Sequence, residues 1–136
     1  MTDVAYIALG SNMGDRHDYL ARARAALGAI PGSHVIGESS IEETAPLGGL
    51  PQNTYLNQMI ALETSLSPRD WLGHLHEIEA ATGGVRHERW ASRTLDLDIV
   101  CYEHQVVHEP DLSVPHAELP NRDFWQRELA ELRGVR

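Results

Sequence analysis

The 136-residue sequence predicts an α+β fold, a mostly antiparallel sheet with helices packed on it. Three observations carry that reading. Short apolar runs with strand periodicity recur near residues 4–9, 55–64 and 95–102. Two longer stretches repeat apolar residues every three or four positions behind good helix caps. The elements follow one another as β-α-β-β-α-β-β-α, not in the strict alternation of a parallel sheet.

The first run, residues 4–9, is a central strand that ends at Gly10 and leads into a turn over residues 10–14. That turn lacks the Gly-Lys-Ser/Thr ending of a phosphate-binding P-loop, so it reads as a plain strand-to-helix connection. Asp15 caps a helix to about Ile30 whose buried stripe is Leu20, Ala23, Leu27 and Ile30, and Pro31-Gly32 stops it. Residues 34–43 alternate roughly and read as a strand. The Gly- and Pro-rich segment 44–53 is too long for a tight hairpin, and loops of that length are often functional. In the strand from Tyr55 to about Thr64, Tyr55 and Asn57 share one face, with Leu56, Ile60 and Leu62 on the other. A tyrosine beside an amide suits a flat heterocycle, although a half-buried strand with a polar outer face explains the pair equally well.

Ser67-Pro68-Arg69-Asp70 combines a cap, a proline at the first helical position and an acid in the first turn. Trp71, Leu75 and Ile78 form the core stripe of that helix, and Gly83-Gly84 closes it. His74 and His76 lie two apart on it and diverge, so they make no metal pair. A last strand is expected at 106–107 and a final helix on Trp125, Leu129 and Leu132.

The chemistry concentrates at 86–100. Arg86, Arg89, Trp90 and Arg93 precede Leu95-Asp96-Leu97-Asp98-Ile99-Val100, a buried strand that puts Asp96 and Asp98 on one face. Two adjacent carboxylates repel unless a cation separates them. One or two carboxylates completed by substrate phosphates is the usual way of holding Mg²⁺, and guanidinium groups bind the same phosphates. Phosphate chemistry is therefore favoured over a solvated edge strand.

The run Arg89-Trp90-x-x-Arg93-Thr94-Leu95-Asp96-Leu97-Asp98-Ile99 resembles the signature of the 6-hydroxymethyl-7,8-dihydropterin pyrophosphokinases of the folate pathway. The likeness extends through Tyr6-Ile7-Ala8-Leu9-Gly10-Ser11-Asn12, Thr44-Ala45-Pro46-Leu47-Gly48, Tyr55-Leu56-Asn57, Val114-Pro115-His116 and Asn121-Arg122-x-Phe124, in the family's order. It marks the chain as a short member, one pyrophosphokinase domain over residues 1–136. It implies a ferredoxin-like α/β sandwich and transfer of pyrophosphate from ATP to the pterin hydroxymethyl group, with release of AMP. Asp96 and Asp98 would hold two Mg²⁺ ions, and Arg86 and Arg93 would neutralise the transferred group. Glu79, Arg89, Trp90, Ile99, His116 and Arg122 would hold ATP. Thr44, Leu47, Tyr55, Asn57 and Phe124 would hold the pterin. The loop over 83–92 would close over ATP, which would bind first. Departures from the family pattern stand at His76, Gly84, Asp111 and Ala117. The same resemblance admits an alternative, a degenerate relative that binds pterin or nucleotide and transfers nothing.

A net charge of −9 argues against a general nucleic-acid binder, while a local arginine cluster still allows a nucleotide site. Cys101 is the sole cysteine, which fits a reducing cytoplasm. No apolar run is long enough to span a membrane, and a monomer is expected.

Overall fold

A computed structural model describes residues 2–45, 54–82 and 95–134. The expected fold class is found. Four strands form a continuous path: β1 (Asp3–Ser11), β2 (Ser33–Glu38), β4 (Tyr55–Thr64) and β5 (Asp96–Tyr102), ordered β2-β4-β1-β5, with β3 (Glu42–Thr44) also paired to β4. Every pairing is antiparallel. With β2 and β3 taken as one bent strand, this is the ferredoxin-like order.

Helices α1 (Arg16–Gly28) and α2 (Pro68–Ala81) cover one face, and α3 (Asp123–Gly134) covers the other. Leu20, Ala23 and Leu27 of α1 and Trp71, Leu75 and Ile78 of α2 meet Ile7, Leu9, Ile60 and Leu62 in the larger core layer. Trp125, Leu129 and Leu132 of α3 meet Tyr6, Ala8, Met59 and Ala61 in the smaller one. Both expected caps are present: Asp15 and Ser67 accept the N–H groups of Asp18 and Asp70. Trp71 is wholly buried and donates from Nε1 to Thr64 Oγ1 at 3.0 Å, a packing residue as its stripe implied. No helix among the described residues is long and apolar enough to cross a membrane.

Several boundaries differ from the sequence reading. β1 runs to Ser11, so Gly10 belongs to the sheet and not to a turn. α1 stops at Gly28, two residues before Ile30. α2 ends at Ala81 with the Thr82 hydroxyl on the Ile78 carbonyl, before the glycine pair expected to stop it. The strand expected over 34–43 breaks at residues 39–41. There Ser39 donates its N–H to Met59 O at 2.9 Å, while its Oγ accepts the Met59 N–H at 2.8 Å. A side chain that competes for ladder bonds bends the strand. The expected strand at 106–107 is β6 (Val107–Glu109), which pairs with an unanticipated β7 (Leu112–Val114) as a separate ribbon. β5 keeps the expected alternation from Leu95 to Ile99 and then slips. A bulge opposite Tyr6 and Ile7 puts both Val100 and Cys101 on the α3 side.

Candidate active site

The register of β4, β1 and β5 builds a polar row at one end of the sheet. Asn57 of β4 lies opposite Gly10 of β1, and Gly10 lies opposite Asp96 of β5. One step inward, Met59, Ala8 and Asp98 form the next row. Asn57 is buried and donates from Nδ2 to Thr44 Oγ1 at 2.6 Å, which leaves its amide oxygen pointing along the row. A methyl group at Gly10 would stand 3.4 Å from Asn57 Oδ1 and 3.6 Å from Tyr55 Cδ1. Between Asn57 and Asp96 the floor is therefore bare backbone, about 10 Å from strand to strand across the glycine. Phe124, in the first turn of α3, is buried in the same layer as Ala8 and Met59.

Asp98 meets a second element at this end. The carbonyl of Val100, turned outward by the bulge, accepts the His116 N–H at 2.7 Å. His116 Nδ1 accepts the Glu118 N–H at 3.0 Å, so the neutral imidazole carries its proton on Nε2. That nitrogen lies 3.6 Å from Asp98 Oδ1. Sequence position alone gave His116 no such neighbour.

The outer edge of β5 forms one wall of a cleft of about 360 Å³ closed by α2 and the β6–β7 ribbon. Leu72, Leu75, Ile99 and Leu112 supply apolar wall, and Asp96, Asp98 and His116 line it as well. Glu79 also lies in the cleft and accepts the Leu97 N–H at 2.8 Å. An antiparallel ladder alternates bonded and non-bonded pairs, and Leu97 faces outward. Ile99, two residues on and before the bulge, therefore also turns its N–H and C=O toward the cleft. The ribbon is fastened by Arg69, which donates from Nη1 to Asp111 at 2.7 Å and also pairs with Glu109. This guanidinium holds the Asp111 carboxyl below the usual carboxylate range. His76 lines the cleft, whereas His74 turns to Trp71 and Glu77, the divergence expected of two residues two apart.

The structure thus brings Asp96, Asp98, Ile99, Glu79 and His116 together, with Asn57, Thr44, Tyr55 and Gly10 beside them. Leu47, Arg86, Arg89, Trp90, Arg93 and the loop over 83–92 lie outside the described residues. Among the described residues no three His, Cys, Asp or Glu side chains converge on a common point, so a cation here would have to draw ligands from elsewhere. Sequence reasoning gave Gly10 to a turn and Trp125 to packing alone. It passed over Glu128, a residue 1% exposed in the middle of α3. An acid at a helical spacing of four from Phe124 was the available signal for the last.

A ferredoxin-like sandwich hosts many activities, so the class follows from the site. A carboxylate pair, a histidine and a nucleotide-sized cleft beside an amide-lined strip have the makings of a phosphoryl-group transferase. The family model for 7,8-dihydro-6-hydroxymethylpterin-pyrophosphokinase matches residues 6–134. The chain is 40% identical over 120 residues to the 2-amino-4-hydroxy-6-hydroxymethyldihydropteridine pyrophosphokinase of Haemophilus influenzae, covering 88% of this chain and 75% of that one. To its namesake from Bacillus subtilis it is 41% identical over 132 residues, 97% of this chain and 79% of that one. The Pseudomonas aeruginosa protein of the same name is 37% identical, with 97% and 82% covered. The chain belongs to this pyrophosphokinase family.

Proposed function

We propose that this chain catalyses the folate-pathway step in which the terminal pyrophosphoryl group of ATP passes to 6-hydroxymethyl-7,8-dihydropterin. The hydroxymethyl oxygen attacks the β-phosphorus, the bond from that phosphorus to the oxygen on the α-phosphorus breaks, and AMP leaves. The observation that carries this reading is the row Asn57–Gly10–Asp96. A flat bicyclic ring laid over Gly10 has an amide to read its edge at one end and a carboxylate beside its hydroxymethyl group at the other.

In such transfers the protein mainly positions reactants and neutralises charge. The apolar cleft walls take the purine, and the outward N–H and C=O of Ile99 suit its polar edge. Glu79 keeps β5 straight by occupying the Leu97 N–H. His116, with its Nε2–H donor, lies beside Asp98 where phosphate oxygens would arrive, and Arg122 adds a positive group on the same side. Thr44 and Asn57 orient the pterin, with Tyr55 and Phe124 against its ring. The carboxylates of Asp96 and Asp98, two apart on one face, fit two Mg²⁺ ions that complete their shells with phosphate and water. When bound, these ions would offset the triphosphate charge and lower the pKa of the substrate hydroxyl. Arg86, Arg93, Arg89, Trp90 and Leu47 keep the roles implied by the resemblance, as does closure of the 83–92 loop after ATP binds.

The protein is further proposed to work as a cytoplasmic monomer on small substrates and not on nucleic acid. The −9 net charge and the single, buried cysteine support this. The test is a product assay with Mg²⁺, ATP and 6-hydroxymethyl-7,8-dihydropterin. Equal amounts of AMP and pterin pyrophosphate are expected. ADP in place of AMP, release of inorganic pyrophosphate, or binding of both substrates without turnover would reject the proposal.

A further inference from the structure

Trp125 is 2% exposed, and its place on the buried stripe of α3 explains that burial but not its neighbours. The guanidinium carbon of Arg122 lies 4.4 Å from the centroid of its ring. The His116 ring meets it edge-on, with centroids 4.9 Å apart and planes at 83°. Phe124 makes a third ring contact at 6.1 Å and 65°. One buried indole therefore touches two side chains read here as nucleotide-holding and one read as pterin-holding.

The way Arg122 is held differs from the other arginines on this side of the molecule. Arg127 and Arg133 are bound to Glu42 and Glu103, so their charge is already answered. Among the described residues Arg122 forms no ion pair with a carboxylate, and its Nε is buried without a hydrogen-bond partner. An aromatic face attracts a guanidinium through its quadrupole while leaving the N–H donors free. It removes the rotational freedom of a long side chain without neutralising it. The same ring limits how far the His116 imidazole can swing from Asp98, while the Val100 and Glu118 backbone bonds hold its other end.

We propose that Trp125 is a positioning residue for the nucleotide. Its indole holds Arg122 and His116 in orientations that receive the phosphate chain, and it keeps the Arg122 charge unspent until an anion arrives. This rests on the reading of Arg122 and His116 as phosphate-side residues.

A double-mutant cycle on the full chain tests it, with the probe α,β-methylene-ATP plus Mg²⁺ and affinity read by calorimetry. Arg122→Gln and His116→Asn should each weaken binding by roughly tenfold. Trp125→Leu should weaken it by roughly three- to tenfold, and Trp125→Phe, which retains an aromatic face, by much less. In a background carrying both Arg122→Gln and His116→Asn, Trp125→Leu should cost less than about a further twofold. The same loss from Trp125→Leu in both backgrounds, or equal losses for Leu and Phe, would make Trp125 mere packing and overturn the proposal alone. Unchanged affinity in both Arg122→Gln and His116→Asn would remove the underlying site reading and the proposal with it. Thermal melts of each variant confirm that folded protein is compared.

Discussion

Nε2 of His116 lies 3.6 Å from Oδ1 of Asp98, joining the segment after β7 to the middle of β5. The contact depends on the bulge at Val100, whose outward carbonyl anchors the His116 backbone. Its position at the proposed phosphate side of the site makes Asp98 the sharpest point for perturbation. Asp98→Ala is expected to lower kcat by about 10²-fold or more. Its melting temperature should stay level or rise, because removing one of two like charges on a strand face relieves repulsion. Turnover assays with and without a chelator, beside thermal melts, check both halves. A variant that loses activity only by unfolding would contradict the assignment.

The Asn57 amide stands apart from the cleft, so its loss should be felt by one substrate. Asn57→Ala removes the group proposed to read the pterin edge and leaves Thr44 Oγ1 without its 2.6 Å partner. The pterin dissociation constant should rise by about tenfold or more. The affinity for a non-hydrolysable ATP analogue, measured on the same preparation, should be unchanged.

Gly10 is proposed to matter for the space above it. Its strand conformation suits any residue, and only the open strip forbids a side chain. Gly10→Ala should fold with an unaltered circular dichroism spectrum yet bind pterin more weakly. Full pterin affinity in that variant would show that the ring does not lie over β1.

Glu79 accepts the Leu97 N–H and is proposed to help hold ATP, and a pair of variants separates the two roles. Glu79→Ala leaves the Leu97 N–H without its acceptor, a loss of about 1–2 kcal/mol in urea denaturation. Glu79→Gln keeps a carbonyl acceptor and should recover most of that stability. Any loss of ATP affinity that persists in Glu79→Gln then belongs to the charge and not to the strand.

Glu128 supplies a pH dependence. Burial, reinforced by the neighbouring Glu42 carboxyl, pushes its pKa up to about 8. Arg127, which pairs with Glu42, opposes the shift, and Glu131, which accepts from Ser40, adds to it. An acid whose folded pKa lies above its unfolded value holds more protons when folded. Its contribution to stability is therefore present in acid, declines as pH rises above about 4.5, and is lost by about pH 8. Glu128→Gln should match the wild type near pH 4.5 and melt roughly 5 °C or more higher at pH 9. A pH-independent difference between the two would refute the buried protonated acid.

Much of the fold was legible because its signals are local. Helix caps at Asp15 and Ser67, the stripes of α1 and α2, and the alternation through Asp96 and Asp98 depend on neighbours a few residues away. The break at Ser39 was not legible, because a serine bends a strand only where a partner strand offers it the Met59 N–H. β7, the partner of the expected β6, escaped for a related reason, since a three-residue strand carries too few positions for a period to show.

The sequence by itself determined the element types, the Asp96/Asp98 pair and the family motifs that select a chemistry. These follow from composition and short-range periodicity, which need no knowledge of what lies across the sheet. Tertiary structure alone decided that Asn57, Gly10 and Asp96 form one row, that Val100 bulges to seat His116, and that Trp125 lies between Arg122 and His116. The reason is register. A one-residue slip in pairing reverses which face every side chain occupies, and only the packed sheet, with both of its faces buried, selects among the alternatives.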